Sequence, residues 1–222
     1  MAAPQIWFIT GTDTGVGKTV LAVLLARLLA SRPEPYRVVK PFCSGGRSDA
    51  EQLFRAQGAQ FPLDQINPWH FRQPVTPSLA AQAAGVRITQ EDVLQFLRSI
   101  RPVPERLVIE GAGGLLSPLG EGFGARELIV ALKAIPLVVC PNRLGAINQA
   151  RLVFAALPPG AASRARLILM DPPRPDHVTR SNIEVLAAFL GRTRIHRLPW
   201  FSEGIWEPFD RHTKAQLERI IS

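Results

Sequence analysis

The 222-residue chain lacks the features of several protein classes. Its two cysteines, Cys43 and Cys140, are too few for a disulfide framework, so we expect a reduced, cytoplasmic environment. Its apolar runs fall well short of the roughly 20 residues that span a membrane, and the longest, Val20 to Ala30, contains Arg27. The N-terminus has no basic region ahead of an apolar stretch, so we expect no signal peptide and no membrane association.

Two catalytic signatures are also missing. His70, His177, His196 and His212 show no ligand spacing and no cysteine joins them, which argues against a zinc site. The sequence contains no Gly-x-Ser-x-Gly motif, so a serine hydrolase has no support. The net charge of +8 would suit nucleic-acid binding, but the arginines are scattered and do not alternate with aromatics. A solvated basic surface is therefore the favoured interpretation.

The sequence does contain alternating strand-like and helix-like segments. Short, nearly continuous apolar runs suit a parallel sheet buried on both faces, and they lie at Ile6–Thr10, Arg37–Lys40, Leu107–Glu110, Leu137–Cys140, Leu167–Met170 and Arg194–Leu198. Helical segments are predicted at 18–31, 48–57, 89–100, 125–133, 146–156, 177–190 and 211–221. The alternation predicts one α/β domain over residues 1–222, with a doubly wound, mostly parallel sheet and helices on both faces. Ligands then bind outside the carboxyl ends of the strands.

The segment 5–31 indicates what binds there. A strand leads into a glycine-rich turn, Gly11 to Gly17, which is followed by Lys18, Thr19 and a helix: the P-loop layout. Glycines let backbone N–H groups close around a phosphate, and the helix N-terminus adds its positive dipole end. Lys18 can reach the outer phosphates and the Thr19 hydroxyl can ligate Mg²⁺. The turn is one residue longer than the usual consensus, which leaves an ordinary strand–turn–helix as the alternative to a nucleoside triphosphate site.

Charged residues stand at the ends of the neighbouring predicted strands. Lys40 ends the second strand, where it is either a surface lysine or a group that stabilises charge on a transferred phosphoryl group. Asp49 opens the next helix, as an N-cap or as a Mg²⁺ ligand. Glu110 closes the third strand ahead of a glycine-rich turn at 111–114, in the Walker-B arrangement that holds Mg²⁺ opposite Thr19.

Two later segments allow two interpretations each. Gly145 begins the helix after the fourth strand, and this helix N-terminus either receives a carboxylate or is a capped helix start. Pro199 to Phe201 follow the sixth strand, where they form either a wall for a nucleotide base or a packed turn.

These motifs together resemble dethiobiotin synthetases. The similarity covers residues 5 to about 207 and is carried by GTDTGVGKT, KPFCSGG, SDA, NPWHFRQPVTPSLAAQAAG, EGAGG, NRLGAIN and LPWF. The longer P-loop turn is a feature of that family. The resemblance implies an ATP- and Mg²⁺-dependent ligase of biotin biosynthesis that acts on 7,8-diaminononanoate and CO₂ or bicarbonate. The route passes through a carbamate and a carbamic–phosphoric anhydride to dethiobiotin, ADP and phosphate.

The resemblance also implies residue roles. Lys18 and Lys40 are expected to be catalytic, and Thr19, Asp49 and Glu110 to hold Mg²⁺. The nucleotide is expected to contact Gly15, Val16, Gly17, Lys18, Thr19, Val20, Asp49, Glu110, Gly111, Ala112, Gly113, Met170, Asp171, Pro199, Trp200 and Phe201. The substrate is expected to contact Thr14 and Ser44 and, because the family is homodimeric, the partner's copy of Gly145, Ala146, Ile147 and Asn148.

One position departs from the family. Met170 stands where the family commonly carries an asparagine that reads the adenine edge, and Asp171 follows it. A thioether cannot supply the paired donor and acceptor of an amide. We therefore expect a weakened preference for ATP over other triphosphates, unless Asp171 or backbone groups read the base.

Three rival functions stay open at this stage. A partitioning ATPase of the same P-loop branch carries a signature lysine early in the loop, where this chain has Asp13. An amide-forming synthetase of cobalamin synthesis shares the nucleotide fold but usually adds a glutaminase domain, for which 222 residues leave no room. A nucleic-acid-binding module rests on the net charge alone.

Overall fold

The computed structural model describes residues 4–201 and 204–222 and centres on a six-stranded parallel sheet. The ten strands are β1 (Gln5–Gly11), β2 (Tyr36–Val39), β3 (Phe42–Ser44), β4 (Trp69–Phe71), β5 (Arg106–Glu110), β6 (Pro118–Gly120), β7 (Phe123–Gly124), β8 (Ile135–Pro141), β9 (Arg166–Met170) and β10 (Ile195–Leu198). The central sheet has the order β10-β9-β8-β1-β5-β2. All five of its strand pairs are parallel, so the six predicted strands and their parallel arrangement are confirmed.

Helices cover both faces of this sheet. They are α1 (Lys18–Ala30), α2 (Ser48–Ala56), α3 (Leu63–Ile66), α4 (Pro77–Ala83), α5 (Gln90–Ser99), α6 (Ala125–Ala131), α7 (Ala146–Ala156), α8 (Pro159–Ala162), α9 (His177–Leu190) and α10 (Arg211–Ile220). Side chains of α1, α2 and α10 form the core on one face, and those of α5, α6, α7 and α9 form the core on the other. The doubly wound α/β architecture is therefore confirmed.

The strands read as continuous apolar runs because both of their faces are buried. In β1, Trp7 and Ile9 pack into the core with α1, whereas Phe8 packs into the opposite core. A strand with one solvated face would instead alternate apolar and polar residues. None of the helices in the described part of the chain is long and apolar enough to cross a membrane.

The short elements between the predicted ones have no clear signal in the sequence. Strands β3 and β4 form a separate parallel pair with Cys43 opposite His70, and β6 and β7 form a two-stranded antiparallel pair. Strands of two or three residues are too short to show a hydrophobic period. The first pair contains Ser44, one of the predicted substrate contacts, opposite Phe71.

Candidate active site

The P-loop wraps tightly between β1 and α1. Gly17 is the N-cap of α1 and has a φ of 102°, in the left-handed region that side-chain-bearing residues rarely adopt. The Lys18 ammonium donates a hydrogen bond to the Asp13 carbonyl oxygen at 2.7 Å, so the side chain folds back over the loop. Burial and the neighbouring Lys40 lower the pKa of Lys18 to about 8. Negatively charged phosphate oxygens beside this buried lysine would favour its protonated form and raise its pKa.

Glu110 and Lys40 meet at the carboxyl edge of the sheet, beside the P-loop. β5 lies between β1 and β2, and Glu110 ends β5 in register with Ile9. The Glu110 Oε1 atom accepts hydrogen bonds from the Thr19 hydroxyl at 2.7 Å and from the Lys40 ammonium at 2.5 Å. Three adjacent strands therefore bring the predicted lysines, threonine and glutamate together.

Lys40 lies one residue beyond the strand that was predicted to contain it. β2 ends at Val39, and the Lys40 N–H donates to the Ile66 carbonyl at 3.0 Å. Burial by itself would lower the pKa of Lys40, but the charges of Glu110 and Asp49 outweigh burial and raise the pKa. The interpretation of Lys40 as a surface lysine is wrong, because the residue is almost completely buried.

Asp49 points at the same cluster. Its Oδ2 atom lies 3.0 Å from the Lys40 ammonium. The N-cap of α2 is Arg47, and no side chain in the described residues donates or accepts a hydrogen bond at that cap. The interpretation of Asp49 as a helix cap is therefore wrong: Asp49 sits in the first turn of α2 and extends toward the charged cluster.

The cluster forms the floor of a cavity of about 680 Å³. The predicted site residues that line it are Thr14, Gly15, Gly17, Lys18, Thr19, Val20, Lys40, Ser44, Asp49, Glu110, Ala112 and Gly113. Gly111 is not among them: its N–H donates to the Ile9 carbonyl, and a Cβ atom there would meet the Phe8 ring at 2.9 Å. Phe42, Cys43, Pro74, Val75 and Pro77 add an apolar wall that was not predicted.

A second cavity, of about 450 Å³, shares the P-loop as a wall. It contains the other predicted nucleotide contacts, namely Val16, Met170, Asp171, Pro199, Trp200 and Phe201. The strands whose ends form it are β8, β9 and β10, on the opposite side of β1 from Lys40 and Glu110. The Met170 side chain packs against Gly17, about 3.2 Å from where a Cβ atom would stand.

The polar groups of this second cavity bind one another. Asp171 accepts hydrogen bonds from the Asn142 amide at 2.6 Å and from the Arg197 guanidinium at 2.6 Å. Asn142 also donates to the Thr179 carbonyl at 3.1 Å and accepts from the Asn182 amide at 3.0 Å. This buried network was missed, because its members come from four separate segments.

Comparison with known proteins identifies the family of this chain. A family model described as an AAA domain matches residues 5–207. The ATP-dependent dethiobiotin synthetase of Anaeromyxobacter dehalogenans is 35% identical over 198 residues, which covers 87% of this chain and 89% of that protein. That of Xanthomonas oryzae pv. oryzae is 31% identical over 205 residues, covering 89% and 92%. This chain belongs to the dethiobiotin synthetase family.

Solved structures outside that family share the fold. MinD cell division protein of Aquifex aeolicus aligns with a TM-score of 0.60 over 97% of this chain and 95% of its own, at 15% identity. A plasmid partition protein of Borrelia burgdorferi aligns with a TM-score of 0.60 over 99% and 97%, at 12% identity. At such low identity the likeness shows the P-loop NTPase fold alone.

The last predicted segment lies apart from both cavities. Gly145, with a φ of 93°, is the N-cap of α7, and Ala146 to Asn148 form its first turn. Gly145, Ile147 and Asn148 line a separate surface depression together with Arg151, Leu152, Phe154 and Phe189. The structure of this chain therefore does not bring residues 145–148 to the charged floor of the first cavity.

The charged floor fits a magnesium ion. Among residues 4–201 and 204–222, no group of three or more His, Cys, Asp or Glu side chains could enclose a metal. Mg²⁺ commonly binds through one or two carboxylates and takes its other ligands from phosphates and water. Glu110 Oε2 is buried without a hydrogen-bond partner among the described residues, and the Thr19 oxygen keeps free lone pairs. This donor set suits a cation that arrives with a triphosphate.

Proposed function

We propose that this chain makes dethiobiotin from 7,8-diaminononanoate, CO₂ and ATP. The observation that carries the proposal is the meeting of Lys18, Thr19, Lys40, Asp49 and Glu110 on the floor of one cavity, in a member of the dethiobiotin synthetase family. ATP-dependent dethiobiotin synthesis is what the names of its relatives state. Under this proposal the enzyme consists of one domain and is located in the cytoplasm.

The reaction has three steps whose atoms balance. A substrate amine adds to CO₂ and loses a proton, which gives a carbamate. A carbamate oxygen then attacks the γ-phosphorus of ATP, and ADP leaves. Finally, the second amine attacks the carbonyl carbon of the mixed anhydride, phosphate leaves and a proton is lost, which closes the cyclic urea. Negative charge moves along the phosphate chain in the middle step, so fixed positive groups there lower the barrier.

The residues of the floor supply these fixed charges. The Lys18 ammonium is expected to bind the outer phosphate oxygens, with backbone N–H groups of residues 15–20 around them. Lys40 is expected to stabilise the carbamate and the charge that develops during transfer. Mg²⁺ would be held by Thr19, Asp49 and Glu110, and it would neutralise part of the phosphate charge.

The rest of the first cavity suits a diamine with an aliphatic chain. Thr14 and Ser44 offer hydroxyl groups, and Pro74 and Val75 offer apolar surface. Cys43 lines the same cavity, and burial raises the pKa of its thiol to about 11. The thiol therefore stays neutral, and Cys43 contributes a small packing surface rather than a nucleophile.

We further propose a homodimer in which a second copy covers the start of α7. Leu144, which precedes Gly145, is 87% exposed, and the exposed Leu152 and Phe189 line the same surface depression as Gly145. Exposed apolar surface of this kind marks interaction sites. The N-terminus of α7 would then offer its N–H groups to the substrate carboxylate from the partner side. Light scattering of the purified protein tests the dimer, and Leu144→Asp is expected to shift it toward monomer.

Substrate-dependent turnover tests the function. The protein is incubated with MgATP and bicarbonate, with and without 7,8-diaminononanoate, and phosphate release and dethiobiotin are measured. Release that requires the diamine, with one dethiobiotin per phosphate, supports the proposal. Release that DNA or lipid stimulates and the diamine does not would instead indicate a partner-switching ATPase.

A further inference from the structure

A buried ion pair joins Lys40 to Glu110, one of the residues proposed to hold the magnesium ion. The Glu110 side chain has 0% exposure, and its Oε1 atom lies 2.5 Å from the Lys40 ammonium nitrogen. A carboxylate in such a place needs a counter-charge, since an unpaired buried charge is strongly destabilising. Lys40 provides that counter-charge in this structure.

The position of Lys40 is set by contacts on several sides. Its N–H donates to the Ile66 carbonyl at 3.0 Å, and its carbonyl accepts from the Asn67 amide at 2.8 Å. Its ammonium also lies 3.0 Å from Asp49, whose side chain is 41% exposed. Because water screens an exposed partner more than a buried one, Glu110 is the stronger partner of Lys40.

The Lys40 ammonium lies 2.5 Å from Oε1 of Glu110, whereas Oε2 has no hydrogen-bond partner among the described residues and can take a metal ion. Mg²⁺ binds oxygens at about 2.0–2.1 Å, so the metal and the ammonium would then share one buried carboxyl group. Two cations on one buried carboxyl group repel each other, because little water screens them. The Thr19 hydroxyl does not compete, because it donates its proton to Glu110 and keeps lone pairs for the metal.

We propose that Lys40 is the resident counter-ion of Glu110 in the nucleotide-free protein, and that an arriving metal–triphosphate displaces its ammonium group from Oε1 toward the phosphates. The proposal rests on the magnesium site of the proposed function. It gives Lys40 two successive roles, first neutralising Glu110 and then acting on the transferred group. It also makes metal binding depend on the nucleotide, whose negative charge provides a new partner for the displaced ammonium.

The binding of Mn²⁺, a paramagnetic substitute for Mg²⁺, tests this directly. Electron paramagnetic resonance measures free Mn²⁺ in titrations of the nucleotide-free protein. We expect K40M to bind Mn²⁺ at least tenfold more tightly than the wild type, because the competing ammonium is gone. K214M is the matched control, since Lys214 is exposed on α10, and it is expected to behave like the wild type. K40Q, which can still donate a hydrogen bond to Glu110, serves if K40M does not fold.

Thermal unfolding gives a second readout. In EDTA, K40M is expected to melt roughly 10 °C below the wild type, because Glu110 is left buried without a counter-charge. Added MgCl₂ is expected to restore most of that loss in K40M and to move the wild type little. A lysine that acted only through the packing of its stem would lower the melting temperature in a way that MgCl₂ does not restore.

The outcomes separate this inference from the function on which it rests. Equal Mn²⁺ affinities of wild type, K40M and K40Q in the absence of nucleotide would overturn the counter-ion role. A wild-type protein that binds no Mn²⁺ even with a non-hydrolysable ATP analogue would instead refute the magnesium site itself. Tight Mn²⁺ binding by the nucleotide-free wild type would also contradict the displacement step.

Discussion

The two cavities that share the P-loop use their polar groups in opposite ways. On the side of β5 and β2, Lys18, Lys40 and Glu110 converge on the floor of one cavity, where Lys40 and Glu110 form an ion pair. On the side of β8 and β9, Asn142 and Asp171 bind each other and neighbouring protein groups. The first cavity therefore has charged side chains on its floor. In the second cavity, the polar side chains are hydrogen-bonded to other groups of the protein.

This difference predicts that the protein recognises the triphosphate of the nucleotide more strongly than its base. The walls of the second cavity include Pro172, Pro173 and Pro199, which have no N–H to offer, and Met170 stands in place of an amide. Asp171 can still accept a hydrogen bond, but both of its oxygens already have partners. We therefore expect the triphosphate to contribute most of the binding and catalytic energy, and the identity of the base to contribute little.

Removing a lysine charge from the first cavity should have the largest effect on turnover. We expect Lys18→Ala and Lys40→Ala each to reduce kcat by about 10²–10³-fold, because both ammonium groups would act on charge in the transition state. Phosphate release in the presence of the diamine measures this, with circular dichroism to show that the variants are folded. The exposed Lys214→Ala serves as the control. A near-normal kcat in either variant would refute its assignment.

Acid should destabilise the fold around β10 through His196, which is buried. Burial, together with Arg166 and Arg219, lowers the pKa of His196 to about 4. The unfolded chain takes up this proton near pH 6.5, so the stabilisation is complete above that pH and is lost as the pH falls toward 4. We expect the free energy of unfolding to fall by up to about 3 kcal/mol over this range. His196 precedes Arg197, which holds Asp171.

Urea unfolding between pH 7 and 4 measures this loss. His196→Gln removes the titrating group and should flatten that part of the curve, whereas His70→Gln, at an exposed position, should not. If the free energy of unfolding of His196→Gln depends on pH as steeply as that of the wild type, another group causes the loss of stability.

Changing the base of the nucleotide should have a small effect on kcat/KM. We expect kcat/KM for ATP, CTP and GTP to lie within roughly tenfold of one another, because the second cavity lacks a free paired donor and acceptor. Met170→Asn introduces that pair and should raise the preference for ATP over GTP severalfold. A wild-type preference for ATP of several hundredfold would mean that Asp171 or backbone groups read the base.

Removing the aromatic wall should have the smallest effect. Trp200 is 57% exposed at the rim of the second cavity, where a base could stack on it. Trp200→Ala is expected to raise the KM for ATP by roughly fivefold and to leave kcat unchanged, since stacking contributes about 1 kcal/mol. Trp206→Ala, which changes an exposed tryptophan outside this cavity, is the control. An equal change in both variants would exclude a stacking role for Trp200.

Much of the fold could be predicted because its signals are local. Six apolar runs became the six strands of the central sheet, and the seven predicted helices begin and end within two residues of their predicted limits. The helix predicted at 89–100 is capped by Thr89, whose hydroxyl accepts a hydrogen bond from the Asp92 N–H at 3.2 Å. The short pairs β3–β4 and β6–β7 were missed, because so few residues cannot reveal a period.

The candidate site was only partly predictable. The residue types of the phosphate-binding floor follow from motifs, each of which is contiguous in the chain. The direct contact of Lys40 with Glu110, 70 residues apart, could not be predicted, nor could the network around Asn142. Asp49 shows the same limit: its sequence allows a helix cap or a charge partner, and only the neighbouring Lys40 decides between them.

The strand and helix order, the P-loop and the identity of the groups at the strand ends follow from the amino-acid sequence, because they depend on neighbouring residues and on hydrophobic periodicity. The order of the strands in the sheet does not: β5 lies between β1 and β2, and β8 lies on the other side of β1. That order places Glu110 between the P-loop and Lys40, and it places Asn142 against Asp171. Charges and hydrogen bonds act over a few ångströms of space, so the strand order decides which of them act together.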